Sequence, residues 1–270
     1  MVIRFDCLGD FARRTSQVPA ATLRANDVFL SGMPSRENRT DRAIWKCFNG
    51  ETEHIPEAER ILEQVDAGIE ILAPSWRPSV HGAYPMVPEY LAGAPDCMRV
   101  LHDELQDHAP VTMYVASDLS IGVSPSMMLK RGIALLAMVM KLNAERPIKL
   151  AMISENMMAT GTEEHLQIIE IPTQPLHLAT ACFALTSNTF AQYLAYPVCS
   201  HTGGRVIWPS NYDEGSWRWE AYLRGKGILG PKDLYFKAAY LLDGDQYTNP
   251  VPWVNAQIEK FRQLSNEGDN

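Results

Sequence analysis

From residue 110 to the end, the chain alternates short apolar runs with longer helical stretches, and few folds accommodate that order. "VTMYVAS" is β-branched and apolar, and the stretch from Ser124 to Asn143 that follows is rich in Met, Leu and Ala. "IKLAMIS" and "HLQIIEIP" then read as two further strands, separated by the turn "ATGTEE". "LHLATACFALTSNTFAQYLA" is helical with a break near Asn188, while "GRVIWPS" and "DLYFKAAYL" read as strands flanking the helix "GSWRWEAYLRGKG". "PVPWVNAQIEKFRQLS" closes the series as an amphipathic helix. Strands alternating with helices bury themselves best as an open, mostly parallel α/β sheet with helices on both faces.

Ahead of this core, residues 1–108 read as a mainly helical and irregular segment packed on it. "CLGDFARRTSQV" and "IPEAERILEQVDAGIEIL" have helical spacing, with Pro56 suited to a first turn. "APSWRPSVHGAYPMVPEYLAGAPDC" reads as ordered loop with one helical turn, its aromatics arguing against a disordered linker. The core is expected over 109–265, and 266–270 is a polar tail.

Composition removes several classes of function. No apolar run approaches the ~20 residues a membrane-spanning helix needs. The opening "MVIRFDCLGDFARR" lacks the long apolar centre of a secretory signal. Cys7, Cys47, Cys97, Cys182 and Cys199 have no paired spacing, which suits reduced thiols in a cytoplasm. The net charge of −8 argues against nucleic acid as a main ligand, because phosphate binding needs clustered cations. Arg36, Arg39 and Arg42 are the densest basic group, but interspersed acids make it a solvated face.

"GKGILG", residues 225–230, has the glycine spacing of a dinucleotide fingerprint in the wrong context. It leaves a helix and precedes a strand, so a helix C-cap with a turn is expected. No P-loop, no His-Glu-x-x-His pair and no Gly-x-Ser-x-Gly elbow occurs.

The chemistry is expected instead at "DLSIGVSPSMMLKRG", residues 118–132. Ligands of open α/β sheets bind outside the carboxyl ends of strands. An acid with neighbouring hydroxyls makes a hard-oxygen site for Mg²⁺, or it caps the helix that follows. The Asp118-x-Ser120 pair resembles the metal-ion-dependent adhesion site of von Willebrand factor A domains, although Gly122 stands where that motif has its second serine. The resemblance implies a degenerate site of Asp118, Ser120, Ser124 and Asp213, holding Mg²⁺ weakly if at all and completed by a partner's carboxylate. "WPSNYDEGSWRWEAY" adds Tyr212 and Trp217 as candidate partner contacts, with Trp219, Tyr222 and Leu223 on one packed face.

"KCFNGETEHIPEAERILEQVDAG", "VPEYLAGAPDCM", "LKRGIALLAMVMKLN", "CFALTSNTFAQYLAY" and "DLYFKAAYLLDG…PVPWVNAQIEKF" occur in that order. Together they resemble an uncharacterised family of bacteriophage and mobile-element proteins with a von Willebrand factor A-like core. That resemblance implies an accessory protein in the cytoplasm of a bacterial host or in a virion. The function expected is a non-enzymatic protein-interaction module with a protein partner. The alternatives are a Mg²⁺-dependent enzyme acting on nucleotides or nucleic acid through Asp118 with Asp213 or Asp243, and a structural virion component.

Overall fold

A computed structural model of the chain describes residues 2–19, 37–65, 75–79, 84–85, 87–91, 97–102, 111–117, 123–145, 147–154, 157–159, 165–173, 176–187, 189–202, 204–206, 216–238 and 244–267. They fall into two compact units, one of Met1–Val65 with Pro110–Asn270 and one of Asp66–Ala109.

The larger unit is an α/β fold around a five-stranded sheet. Its strands are β1 (Val2–Phe5), β5 (Val111–Ala116), β6 (Ile148–Ser154), β8 (Leu166–Ile171) and β10 (Leu234–Phe236). They lie in the order β1-β8-β6-β5-β10. The pairs β1–β8, β5–β6 and β5–β10 are parallel, whereas β6–β8 is antiparallel. The sheet is therefore mostly parallel. A parallel return needs a crossover of a dozen or more residues, usually a helix. β5 and β6 have one, the 21-residue α5 (Pro125–Glu145). The short connection from Ser154 to Leu166 instead turns β8 round. The described residues of "GRVIWPS" form β9 (Gly204–Val206), which pairs with β7 (Met157–Ala159) in a separate ribbon and not with the main sheet.

α5 begins where local chemistry dictates. The Met127 backbone N–H donates to Ser124 Oγ at 3.2 Å, and Pro125 occupies the first turn, where its missing N–H costs nothing. Pro147 follows its end. The helix is buried almost all round, with Ala134, Leu135, Leu136, Ala137, Met138 and Val139 fully enclosed. It packs against α3 (Ile55–Gln64), α6 (Leu178–Thr186), α9 (Asp245–Thr248) and α10 (Pro250–Glu267). Leu136→Ala is expected to cost about 2–5 kcal/mol in urea unfolding; a change below about 1 kcal/mol would mean that the site collapses without leaving a cavity.

Strand alternation divides the core. Val111, Met113, Val115, Leu150, Met152, Ile169 and Ile171 join the large cluster beneath α5, with Phe11 of α1 (Leu8–Ser16) and Phe183. Tyr114, Ala151, Ile153, Leu166 and Ile168 face the other way, against Leu223 of α8 (Ser216–Gly225) and Leu229. Helices thus cover both faces of the sheet. The helix α2 (Glu37–Asn49) escaped the sequence pattern; it buries Thr40, Ala43 and Cys47 and leaves Arg42 exposed. Arg36 lies outside the described residues, as do residues 160–164 of the "ATGTEE" turn.

The smaller unit corrects the expectation of loop. It contains a three-stranded antiparallel sheet of β2 (Ser75–Ser79), β4 (Met98–His102) and β3 (Tyr84–Pro85), in the order β2-β4-β3. The expected helical turn is α4 (Val87–Leu91). Pro78 and Pro85 disguise the strands in sequence, yet both lie on edge strands, where a missing donor is tolerated.

"GKGILG" ends α8 as a C-cap. Gly227 takes φ +66°, the left-handed conformation that closes a helix. Ile228 N–H donates back to Leu223 C=O at 2.9 Å, and the Lys226 and Gly227 N–H groups reach Tyr222 and Arg224. Asp233 then braces the turn by accepting from the Gly230 N–H at 2.7 Å and the Thr112 N–H at 2.8 Å. No phosphate cradle is formed.

Candidate functional site

β5 is an interior strand with parallel neighbours on both sides, so three strands end at the same edge of the sheet. The chain leaves β5 through Ser117 and enters α5 at Ser124. Among the residues expected to form the ion site, Ser124 is exposed and caps α5. A hydroxyl has two acceptor lone pairs, so the cap uses half of its capacity. Asp118, Ser120 and Asp213 lie outside the described residues, as do Tyr212 and Asp243. Trp217 is on α8, and its side chain lies outside the described part of the structure. Leu223 is buried with Trp219 and Tyr222 packed beside it, the two rings edge-on at 5.5 Å. Among the described residues, no group of three or more His, Cys, Asp or Glu side chains is placed to hold a metal ion.

Two groups of buried polar side chains were missed in the sequence. The first centres on Arg131, a cation that stands beside Lys130 on α5. Lys130 is exposed, but Arg131 is 2% exposed. Its Nε donates to Gln246 Oε1 at 3.1 Å and its Nη2 to the Lys237 carbonyl at 2.6 Å. One guanidinium thereby joins α5, the residue after β10 and α9. A buried cation is tolerable only with such partners. Its sole sequence signal is a long cation within an otherwise apolar helix.

The second group crosses the carboxyl ends of β5 and β6. Ser154 and Gln167 are register partners, and the Ser117 N–H extends the β5–β6 ladder by donating to Ile153 C=O at 2.7 Å. Ser117, Ser154 and Gln167 therefore form a row on the α5 face, all three buried. His165 lies two residues before Gln167 on the same side, at 1% exposure. Ser117 Oγ, both amide atoms of Gln167 and His165 Nδ1 have no hydrogen-bond partner among the described residues. Leaving such a group dry costs about 1–3 kcal/mol. A fold stabilised by about 5–15 kcal/mol cannot carry four of them unsolvated without a large loss.

Thr202 Oγ1 lies 3.0 Å from His165 Nε2 and within hydrogen-bond reach of the Val198 and Cys199 carbonyls, at 2.8 Å and 3.1 Å. Thr202 is presented by α7 (Tyr196–His201), which follows directly on a π-helical segment, Phe190–Ala195. Such segments are rare and often border functional sites.

Burial pushes the His165 pKa below its ordinary value of 6.5. An unfolded chain takes up this proton near 6.5, and the folded one only at lower pH. The stability is thus present above 6.5 and lost as pH falls through the depressed folded value. Unfolding free energies from urea titrations between pH 7.5 and 5 should fall by up to about 1.4 kcal/mol per pH unit within that window. His165→Gln keeps a donor toward Thr202 and removes the titration, so its pH slope should be shallower; equal slopes would discard the assignment.

Cys47 and Cys182 are poor candidates for a nucleophile. Among the described residues, which include all five cysteines, no disulfide forms. Burial raises the Cys47 pKa to about 12 and that of Cys182 as well, which keeps both as unreactive thiols. Among the described residues, no helix is long and apolar enough to cross a membrane.

The sequence matches a family model described as Domain of unknown function (DUF7192), over residues 4–220. The chain belongs to this family. No curated protein and no solved structure matches it. The DUF7192 span holds β5, α5, β6 and β8 and with them the whole row from Ser117 to His165. β10 and Gln246, the far side of the Arg131 contacts, lie beyond it.

Proposed function

We propose that this chain is a non-enzymatic protein-interaction module, an accessory protein of a bacteriophage or mobile element acting in the bacterial cytoplasm or the virion. In this reading its core is von Willebrand factor A-like. The rim after β5, carrying Asp118 and Ser120 with Ser124 and Asp213, meets a protein partner beside Tyr212 and Trp217. The observation that carries the proposal is the placement of the β5–α5 junction at an edge where three strands end together, the position at which such sheets bind ligands.

A rim with one first-position acid and hydroxyls binds Mg²⁺ weakly, because Mg²⁺ sheds its waters reluctantly. Millimolar Mg²⁺ is expected to leave the melting temperature of the isolated protein nearly unchanged, as weak binding adds only RT ln(1 + [L]/Kd). The deciding experiment is affinity capture from producing cells with the native chain, Asp118→Ala and Trp217→Ala. A specific protein retained by the native chain and lost with Asp118→Ala supports the reading. Retention indifferent to both substitutions, with the folded state intact, refutes the rim as the docking surface.

A further inference from the structure

The Arg131 guanidinium reaches two acceptors from one late stretch of chain, the Lys237 carbonyl just after β10 and Gln246 Oε1 on α9. That stretch begins beyond residue 220, where the family match ends. β10 joins the sheet through three residue pairs, Leu234 with Met113, Tyr235 with Tyr114 and Phe236 with Val115. It is the edge strand, so among the described residues no strand is held in place from its outer side. The stretch also holds itself together. α9 packs on α10, and the Phe236 ring meets Trp253 of α10 edge-on at 5.9 Å.

We propose that β10, α9 and α10 form a strap that opens as one body while the rest of the larger unit stays folded, with Arg131 as its clasp. A contiguous piece of chain with its own internal contacts is the usual unit of sub-global opening. The contacts between α9 and α10 and between Phe236 and Trp253 move with the strap and are kept. Those lost are the three β10 pairs, the clasp and the apolar packing of α10 on α5. The clasp suits release, because a guanidinium and its acceptors regain hydrogen bonds in water when they part. Val254, Ile258 and Phe261 oppose release, since all three sit in the large core cluster. The closed state therefore dominates, and opening is a rare excursion.

Opening leaves the sheet as β1-β8-β6-β5 and bares the outer edge of β5. The N–H and C=O groups of Val111–Ala116 on that edge then lack a neighbour, which makes the open state a template for an added strand. The strap stands on these contacts alone and does not depend on what binds the rim.

The test is native-state hydrogen exchange on the full chain, resolved by residue, for the native protein, Arg131→Met and Ile169→Val. In the native protein, the amides of Phe236, Val254 and Ile258 are expected to share one opening constant. It should be at least ten-fold larger than that of the β6 and β8 amides. Arg131→Met should enlarge both constants by the same factor, because the clasp is lost in the open and unfolded states alike. Ile169 lies on β8, separated from β5 by β6, and keeps its surroundings when the strap opens. Ile169→Val should therefore enlarge the β6 and β8 constant and leave the strap constant unchanged. A single constant for all these amides, or a strap constant that rises with Ile169→Val, makes the segment integral and overturns the proposal. A strap constant unmoved by Arg131→Met removes the clasp and overturns it equally. If Arg131→Met does not fold, Gln246→Leu cuts the clasp from its other side and takes its place under the same criteria.

Discussion

Gly132→Val is expected to destabilise the protein by about 3 kcal/mol or more, or to prevent its accumulation in folded form. A Cβ at this position would stand 2.2 Å from the Leu185 carbonyl oxygen and 2.6 Å from Thr186 Cα. Both are backbone atoms at the end of α6, and a turn of helix cannot swing aside as a side chain can. The two helices must separate instead, opening the cluster that holds Leu135, Leu136 and Phe183. Gly132→Ala is the sharper version of the test. Alanine gains about 1 kcal/mol of helix propensity over glycine, so propensity alone makes the variant more stable. A loss in urea unfolding shows that the close crossing dominates, and an equal or higher midpoint shows that it does not.

Arg131→Met is expected to cost about 2–5 kcal/mol, for a different reason. Methionine fills much of the volume and removes the buried charge, which by itself is often neutral or favourable. It also strips the donors from Gln246 Oε1 and the Lys237 carbonyl, at about 1–3 kcal/mol for each group left dry. Arg131→Lys should not restore stability, since one ammonium cannot reproduce the planar fork that reaches two acceptors on separate segments. Adding Gln246→Leu to Arg131→Met should recover part of the loss, because it removes one of the stranded acceptors. Strict additivity in that double-mutant cycle would show that the two side chains are uncoupled. Wild-type stability of Arg131→Met would show that the guanidinium holds nothing together.

The interior of the fold was readable because its signals were long and redundant. "VTMYVAS", "IKLAMIS" and "HLQIIEIP" are strands in place, and α5 and α10 fall where the periodicity put them. Strand direction was not readable, since an apolar run looks the same either way. The brevity of the chain between Ser154 and Leu166 was the available clue to the reversal of β8. β9 had the composition of a core strand yet pairs with β7, because pairing depends on neighbours that no local pattern specifies. In the smaller unit, Pro78 and Pro85 outweighed the strand signal, although proline at an edge is permitted.

For the candidate site, the strand and helix pattern marks the carboxyl end of β5, with the acid and hydroxyls of the loop that follows, as the edge to consider. Gln167 and Ser154 were visible as single polar letters at the ends of apolar strands. Whether such a letter meets water or core depends on the register of three strands, and that information is tertiary. Arg131 misled for the opposite reason, since a cation beside Lys130 on a helix is ordinarily solvated. Its acceptors come from residues more than a hundred positions later.

The pairing of β1 also has a consequence for synthesis. Val2 to Phe5 leave the ribosome long before their hydrogen-bonding partners, Leu166 to Ile169. Until that partner emerges this edge has no strand to join, and Phe11, which packs on Phe5, has no Phe190 to pack against. The nascent chain must carry that apolar start exposed, or shielded by a chaperone, until β8 emerges. Pausing before β8 should therefore do more harm than pausing after it.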